Sequence, residues 1–319
     1  MKAQNYLDPR EFMQKVARGM PPLIITVAIT GGVAGKEANM NLPESPEEQA
    51  DSTYECYKAG AAAVHIHARD PKTGYADAST NPDDYYKVNK LVRERCPDMI
   101  ICDTCGVAVE ADRAAAVKPL EANPEMASLN CGPLILRGKR MKRLPPLSGR
   151  DQDVDLSKLI IPITFAETEF YAEEMKKRGV KPELEVYNSQ MFNVVDNLIR
   201  KGLIDKPYAF SFIFADAIGV PPTMQNFINL VAGLPPDSSF QAIGVGPAQV
   251  AVNVMAILIG GDVRVGFEDN LFYKRGELLK SNAQAVERIV RIANELDRPI
   301  ATPAEAREIL GLPKTPSTY

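Results

Sequence analysis

The chain has 319 residues, of which 45% are hydrophobic and 24% charged, with a net charge of −4 at neutral pH. That is the balance of an ordinary globular protein able to bury a large core, and its sign argues against nucleic acid as the main partner. No apolar run reaches the ~20 residues of a membrane span, while five cysteines and an N-terminus without an apolar signal segment predict reduced thiols and a cytoplasmic protein.

Short apolar runs alternate with amphipathic segments along nearly the whole chain. The first strand is expected over residues 23–29. Ser45-Pro46-Glu47-Glu48 then reads as a capped helix start with proline in the first turn, and the helix closes at Gly60. Further strands are expected over residues 62–67, 99–104, 126–130, 183–187, 208–214, 240–244 and 262–267, with a helix opening at Asn81-Pro82 between the second and third. Near the end, Leu278, Val286, Ile289, Val290, Ala293 and Leu296 recur mostly at three- and four-residue steps, the spacing of a helix face. A short helix opens at Thr302-Pro303-Ala304-Glu305. Eight strands, each followed by a helix, predict an α/β chain folded as a single closed (β/α)8 barrel, with a doubly wound open sheet as the alternative. Thr30-Gly31-Gly32 after the first strand is a turn and not a glycine-rich phosphate fingerprint.

The chain has only two histidines, His65 and His67, within Val64-His65-Ile66-His67-Ala68-Arg69-Asp70. Residues two apart on a strand share a face, and the C-terminal strand ends are where parallel barrels build active sites. Two converging imidazoles there can hold one divalent metal; the competing reading is a hydrogen-bonded core pair. A catalytic zinc takes three protein ligands and keeps an open position, so the third ligand must be a carboxylate or thiolate. Asp70, Asp103, Asp216, Glu268 and Asp269 all lie near predicted strand ends. In the eighth strand Arg264, Gly266 and Glu268 share one parity, and Val263, Val265 and Phe267 the other. The apolar set should pack on the helices, leaving Arg264 and Glu268 in the lumen with Gly266 as space between them. A buried guanidinium without a partner is costly, so Arg264 needs a counter-charge, and an internal salt bridge is the plainer reading of it. Cys102 and Cys105 form a CxxC, the pattern of a redox pair or half a zinc site, but an offset of three puts them on opposite faces of a strand and no second CxxC exists, so reduced thiols without that role are expected. Barrels that carry an HxH pair together with further histidines are excluded by the count.

These residues resemble the β-keto acid cleavage enzyme family from about residue 22 to residue 312. The likeness runs through Ile25-Thr26-Val27-Ala28-Ile29-Thr30-Gly31, the His65–Asp70 motif, Pro124-Glu125-Met126-Ala127-Ser128-Leu129-Asn130, Pro182-Glu183-Leu184-Glu185-Val186-Tyr187, Gly266-Phe267-Glu268-Asp269-Asn270 and Ala301-Thr302-Pro303-Ala304-Glu305-Ala306-Arg307-Glu308-Ile309-Leu310. It implies a zinc-binding TIM barrel over residues 22–312, between an N-terminal extension (1–21) and a C-terminal tail (313–319). By the same resemblance His65, His67 and Glu268 are the metal ligands, and Arg264 and Asp269 a catalytic pair. Thr104 and Ser128, with Asn130 and the Val33 position, contact substrate; the family can show Ser and Thr where this chain has Thr104 and Ser128, and either hydroxyl donates a hydrogen bond.

The implied reaction joins a β-keto acid and acetyl-CoA to give a new acyl-CoA and acetoacetate. Asp269, poised by Arg264, is the implied base for the α-proton, and a cation is implied to offset the charge of the enolate. Members that cleave the aminohexanoate carry an acid after Thr-Gly-Ala, where this chain has Val33 after Thr30-Gly31-Gly32; a substrate with an uncharged tail is therefore expected. Asn188-Ser189-Gln190 is a second departure. The basic cluster Arg137, Lys139, Arg140, Lys142 and Arg143 either receives CoA phosphates or is a solvated loop or subunit contact. A homo-oligomer, taken as a tetramer, is expected. Two other functions compete: a CoA-independent metal-dependent lyase or hydrolase of a keto acid, and a non-catalytic metal- or metabolite-binding barrel.

Overall fold

Alternating apolar and small or polar residues, as in Tyr208-Ala209-Phe210-Ser211-Phe212-Ile213-Phe214, can cover two different surfaces at once. In the computed structural model, which describes residues 6–105, 113–216 and 218–319, eight such parallel strands close into a barrel. They are β1 (Ile25–Ala28), β2 (Ala63–Ile66), β3 (Ile100–Asp103), β4 (Met126–Asn130), β5 (Lys181–Val186), β6 (Tyr208–Phe214), β7 (Ser238–Gly244) and β8 (Asp262–Val265). Neighbours in sequence are neighbours in the barrel, and β8 closes it against β1 through Ile25 opposite Val263. The closed barrel, and not the open sheet, is the fold.

The helices are α1 (Pro9–Arg18), α2 (Pro46–Ala59), α3 (Pro82–Arg95), α4 (Phe165–Arg178), α5 (Phe192–Arg200), α6 (Met224–Ala232), α7 (Gln249–Ile259), α8 (Asn282–Glu295) and α9 (Pro303–Leu310). A four-residue helix, Arg113–Ala116, lies between β3 and β4. The sequence signals for helix starts hold: Ser45 and Glu48 form a reciprocal capping box on α2, Asn81 caps α3, and Thr302 and Glu305 repeat the box on α9. Leu278 departs from expectation. It is exposed in a two-stranded ribbon, Phe272–Lys274 against Glu277–Leu278, because Ser281 caps α8 three residues later.

Two apolar layers result. The outer one lies between strands and helices, where Phe212 stacks on Phe240 and Phe214 on Phe227 of α6. The inner one floors the barrel: Ile24, Ala63, Ile100, Met126 and Ala209 meet Ala301 and, from α9, Ala306 and Leu310. Above that floor the inward positions turn polar, unlike the branched apolar filling usual in such barrels.

Between β4 and α4 the chain makes an excursion over residues 133–164 with two short antiparallel pairings, Leu134–Ile135 with Ile160–Ile161 and Lys139–Arg140 with Val154–Asp155. Buried ion pairs pin it to the loop after β1: Arg143 to Glu44 at 2.7 Å and Arg150 to Glu37 at 2.9 Å. Arg140 pairs with Asp77, and Lys139 with Asp153 at 2.7 Å. Among the five cations of the basic cluster, Arg143 is thus held in a buried pair, while Arg140 pairs with Asp77 at a partly exposed position and Lys139 with Asp153 at the surface. No helix among the described residues is long and apolar enough to cross a membrane.

Candidate active site

His65 lies on β2 and His67 just past its end, and the two rings stand edge to face with centroids 5.2 Å apart. Both are buried. Glu268 reaches them from the other end of the sequence: its Oε1 lies 3.4 Å from His67 Nε2 and 3.8 Å from His65 Nε2. These three side chains each offer one ligand atom, all within 4.8 Å of one another. Burial, opposed by Glu268, pushes the His65 imidazole down to about 4, so it is neutral near pH 7, as a metal ligand must be. Glu268 Oε2 and Nδ1 of both histidines are buried without a hydrogen-bond partner among the described residues. Two imidazoles and a carboxylate are a fitting donor set for zinc.

The route by which Glu268 arrives differs from the strand parity read in the sequence. β8 ends at Val265. Gly266 follows with φ +133°, and a Cβ there would lie 2.2 Å from the Ala28 carbonyl oxygen. The amides of Asp269 and Asn270 both donate to the Gly266 carbonyl. Gly266 is therefore a turn pressed against β1 and not a spacer between two inward side chains. The turn has a second result: consecutive residues on a strand would point apart, yet Glu268 and Asp269 both reach Arg264. Arg264 grips Asp269 with two bonds, Nε to Oδ2 at 3.0 Å and Nη2 to Oδ1 at 2.6 Å, and gives Nη2 to Glu268 Oε1 at 3.0 Å. The salt bridge expected for Arg264 and its pairing with Asp269 are one arrangement. Burial raises the Asp269 carboxyl to about 6 against the pull of Arg264. Despite its own burial, Arg264 stays charged because Asp269 and Glu268 face it.

The loop after β1 closes one side. Gly31 has φ +68° and leaves no room for a Cβ, which would lie 2.7 Å from Glu268 Cγ. At Gly32 a Cβ would stand 3.5 Å from His67 Nδ1. Val33 follows, half exposed. Arg69 braces this loop from below by donating to the carbonyls of Thr30 and Ala34.

On the other side Thr104 donates its amide to the Ile66 carbonyl, which seats it beside His67. Its hydroxyl is 3.4 Å from that of Ser128, and Ser128 Oγ also accepts the Cys105 amide at 3.0 Å. Asn130 is buried at the end of β4 with its Oδ1 unpartnered among the described residues. Three further carboxylates near strand ends lie away from the histidines. Asp70 caps a short turn, Asp103 takes the Asn89 amide at 2.8 Å, and Asp216 is exposed. Cys102 faces Glu183 in the lumen while Cys105 joins the outer core; both are free thiols.

Two lumen carboxylates received no role from the sequence. Glu183 accepts from Cys102, Ser211 and Gln241. Glu185 takes the Tyr187 hydroxyl at 3.0 Å and stands 3.9 Å from Arg264; burial and Glu183 raise it to about 8. A signal for them exists, since Glu183-Leu184-Glu185 has the same two-residue spacing as His65-Ile66-His67.

Comparison with known proteins adds to this geometry. The family model described as "beta-keto acid cleavage enzyme" matches residues 22–312. The 3-keto-5-aminohexanoate cleavage enzyme of Acetoanaerobium sticklandii is 36% identical over 296 residues, covering 92% of this chain and 100% of that protein. The 3-oxoadipate:acetyl-CoA acetyltransferase of Cupriavidus necator is 30% identical over 296 residues, 92% of this chain and 95% of that one. Among solved structures, apo ObcA superposes with a TM-score of 0.66 at 19% identity, over 85% of this chain and 65% of that chain, a likeness of fold.

Proposed function

The chain belongs to the β-keto acid cleavage enzyme family, and from that premise we propose that it exchanges acyl groups between a β-keto acid and acetyl-CoA, with zinc held by His65, His67 and Glu268. The observation that carries this reading is the meeting at Glu268 Oε1 of both imidazoles and the guanidinium of Arg264. When bound, a divalent cation there offsets the charge that develops on the oxygens of the keto acid. Asp269 removes the proton from the carbon between the ketone and the carboxylate. Its raised proton affinity suits a base, and the two-bond grip of Arg264 fixes its direction. The carbanion forms a carbon–carbon bond to the acetyl carbon of the thioester. CoA then passes to the original ketone carbon, the bond beside that carbon breaks, and its electron pair leaves on the acetoacetate carbon, which takes back the proton held by Asp269. Thr104 is the better placed of the two hydroxyls to donate to substrate, because Ser128 Oγ already gives its proton to the Cys105 carbonyl at 3.4 Å.

No side-chain nucleophile is needed, in keeping with five buried cysteines. Val33 supplies no counter-charge for an ammonium, which supports a substrate with an uncharged tail. A homo-tetramer in the cytoplasm belongs to the same reading. The test is metal analysis of the purified protein with a panel of β-keto acids, each assayed with and without acetyl-CoA. Turnover that requires both acetyl-CoA and one bound zinc per chain is expected; cleavage without acetyl-CoA would replace the proposal with a keto acid lyase or hydrolase, and preference for an ammonium-tailed acid would refute the assignment of the tail.

A further inference from the structure

Beneath the three proposed ligands lies a second polar layer. At its centre is Glu183, 3% exposed, on β5. Its Oε1 accepts from Ser211 Oγ and from Gln241 Nε2 at 2.7 Å, and Gln241 also bonds Ser211 at 2.8 Å. Its Oε2 accepts the Cys102 thiol at 2.9 Å and stands 3.9 Å from His65 Nδ1, a nitrogen with no hydrogen-bond partner among the described residues. His65 thus presents Nε2 to Glu268 and Nδ1 to Glu183. Among the described residues no carboxylate pairs with His67 Nδ1, which would stand 3.5 Å from a Cβ at Gly32.

Two rival roles for this layer fit less well. His65, Cys102 and Glu183 could themselves hold a second metal, since their ligand atoms also cluster. A metal there would displace the Cys102 proton that Glu183 Oε2 accepts at 2.9 Å, taking away that oxygen's hydrogen-bond donor. Glu183 could instead be only a counter-charge for Arg264, but then nothing requires one of its oxygens to face the imidazole.

A ligating histidine keeps its ring orientation and tautomer by giving its second N–H to a carboxylate or carbonyl. We propose that Glu183 is a positioning residue of the metal centre: braced by Ser211, Gln241 and Cys102, it accepts the Nδ1–H of His65 and so turns Nε2 to the metal. A ring movement of about 1 Å brings the 3.9 Å separation to hydrogen-bond length. This rests on the zinc reading above.

The test uses the full-length protein and zinc alone. Zinc affinity is measured by chelator competition for the wild type, Glu183→Gln, Ser211→Ala and Cys102→Ala, alongside 15N spectra of the imidazoles, which two histidines keep simple. Glu183→Gln is expected to weaken zinc binding about 10- to 100-fold and to shift the His65 Nδ1–H signal while leaving that of His67 in place. Ser211→Ala, a milder change that covers misfolding of the first variant, is expected to do the same by roughly threefold to tenfold, at the lower end of the effects known for supporting residues. Cys102→Ala keeps one zinc per chain. Unchanged affinity and an unmoved His65 signal in both Glu183→Gln and Ser211→Ala overturn the inference alone. Two zincs in the wild type, one of them lost with Cys102, overturn it in favour of a second site. A wild type that takes no zinc overturns the metal reading and this inference together.

Discussion

At the scale of single residues, the site couples two jobs through one guanidinium. Arg264 bonds the proposed base and a proposed ligand at once, so the two functions separate only when the acids are changed one at a time. Glu268→Gln is expected to reduce bound zinc well below one per chain, read by metal analysis, and to remove turnover with it. Asp269→Asn should keep the zinc and the fold while lowering kcat about 10²- to 10⁴-fold, the usual worth of a general base; loss of zinc in this variant would show that Asp269 serves the metal instead. Val33→Glu places an acid on a half-exposed loop position beside the site. It is expected to shift kcat/KM toward a β-keto acid with an ammonium tail, measured against an uncharged acid of the same length. In the sequence Glu268 and Asp269 are two of five carboxylates near strand ends, and it is the resemblance to the family that singles them out and draws notice to Val33.

At the scale of elements, turns decide what strands alone do not. The parity of β8 selects Arg264 for the lumen, but the strand stops at Val265, and the turn at Gly266 brings Glu268 and Asp269 to the same guanidinium. The complementary turn is at Gly31, where φ +68° and the absence of a Cβ let the backbone pass Glu268. Gly31→Ala is expected to cost about 1–3 kcal/mol of stability, seen as a lowered denaturation midpoint. Because the added Cβ displaces the Glu268 side chain, zinc affinity should fall as well; unchanged affinity would mean that the Glu268 carboxylate does not depend on this packing. The helix starts were legible because capping is local: the Ser45 and Thr302 boxes each close within one helical turn. Leu278 was misplaced because apolar spacing does not reveal that Ser281 caps the helix after it.

At the scale of the whole molecule, the 133–164 excursion is held over the barrel mouth by charge. Arg143 and Arg150 reach Glu44 and Glu37 on the loop after β1, all four buried side chains. Removing one member leaves its partner buried and unpaired, so Arg143→Met is expected to destabilise the protein by about 3–5 kcal/mol, and limited proteolysis should cut first within residues 133–164. The first of these pairs withdraws Arg143 from phosphate binding, an outcome invisible in the sequence because Glu44 lies 99 residues away. The sequence by itself determined the eight barrel strands, the preference for a closed barrel over an open sheet, the two-residue spacing of His65 and His67 and the type of each candidate site residue. All of these follow from periodicity and side-chain chemistry carried within a few consecutive residues. Only the tertiary structure decided that Glu268 is the carboxylate facing both imidazoles, that Asp269 shares Arg264 with it, and that Glu183 stands beneath His65. Those meetings join strands and turns far apart in the chain, and their distances are fixed by how the barrel closes.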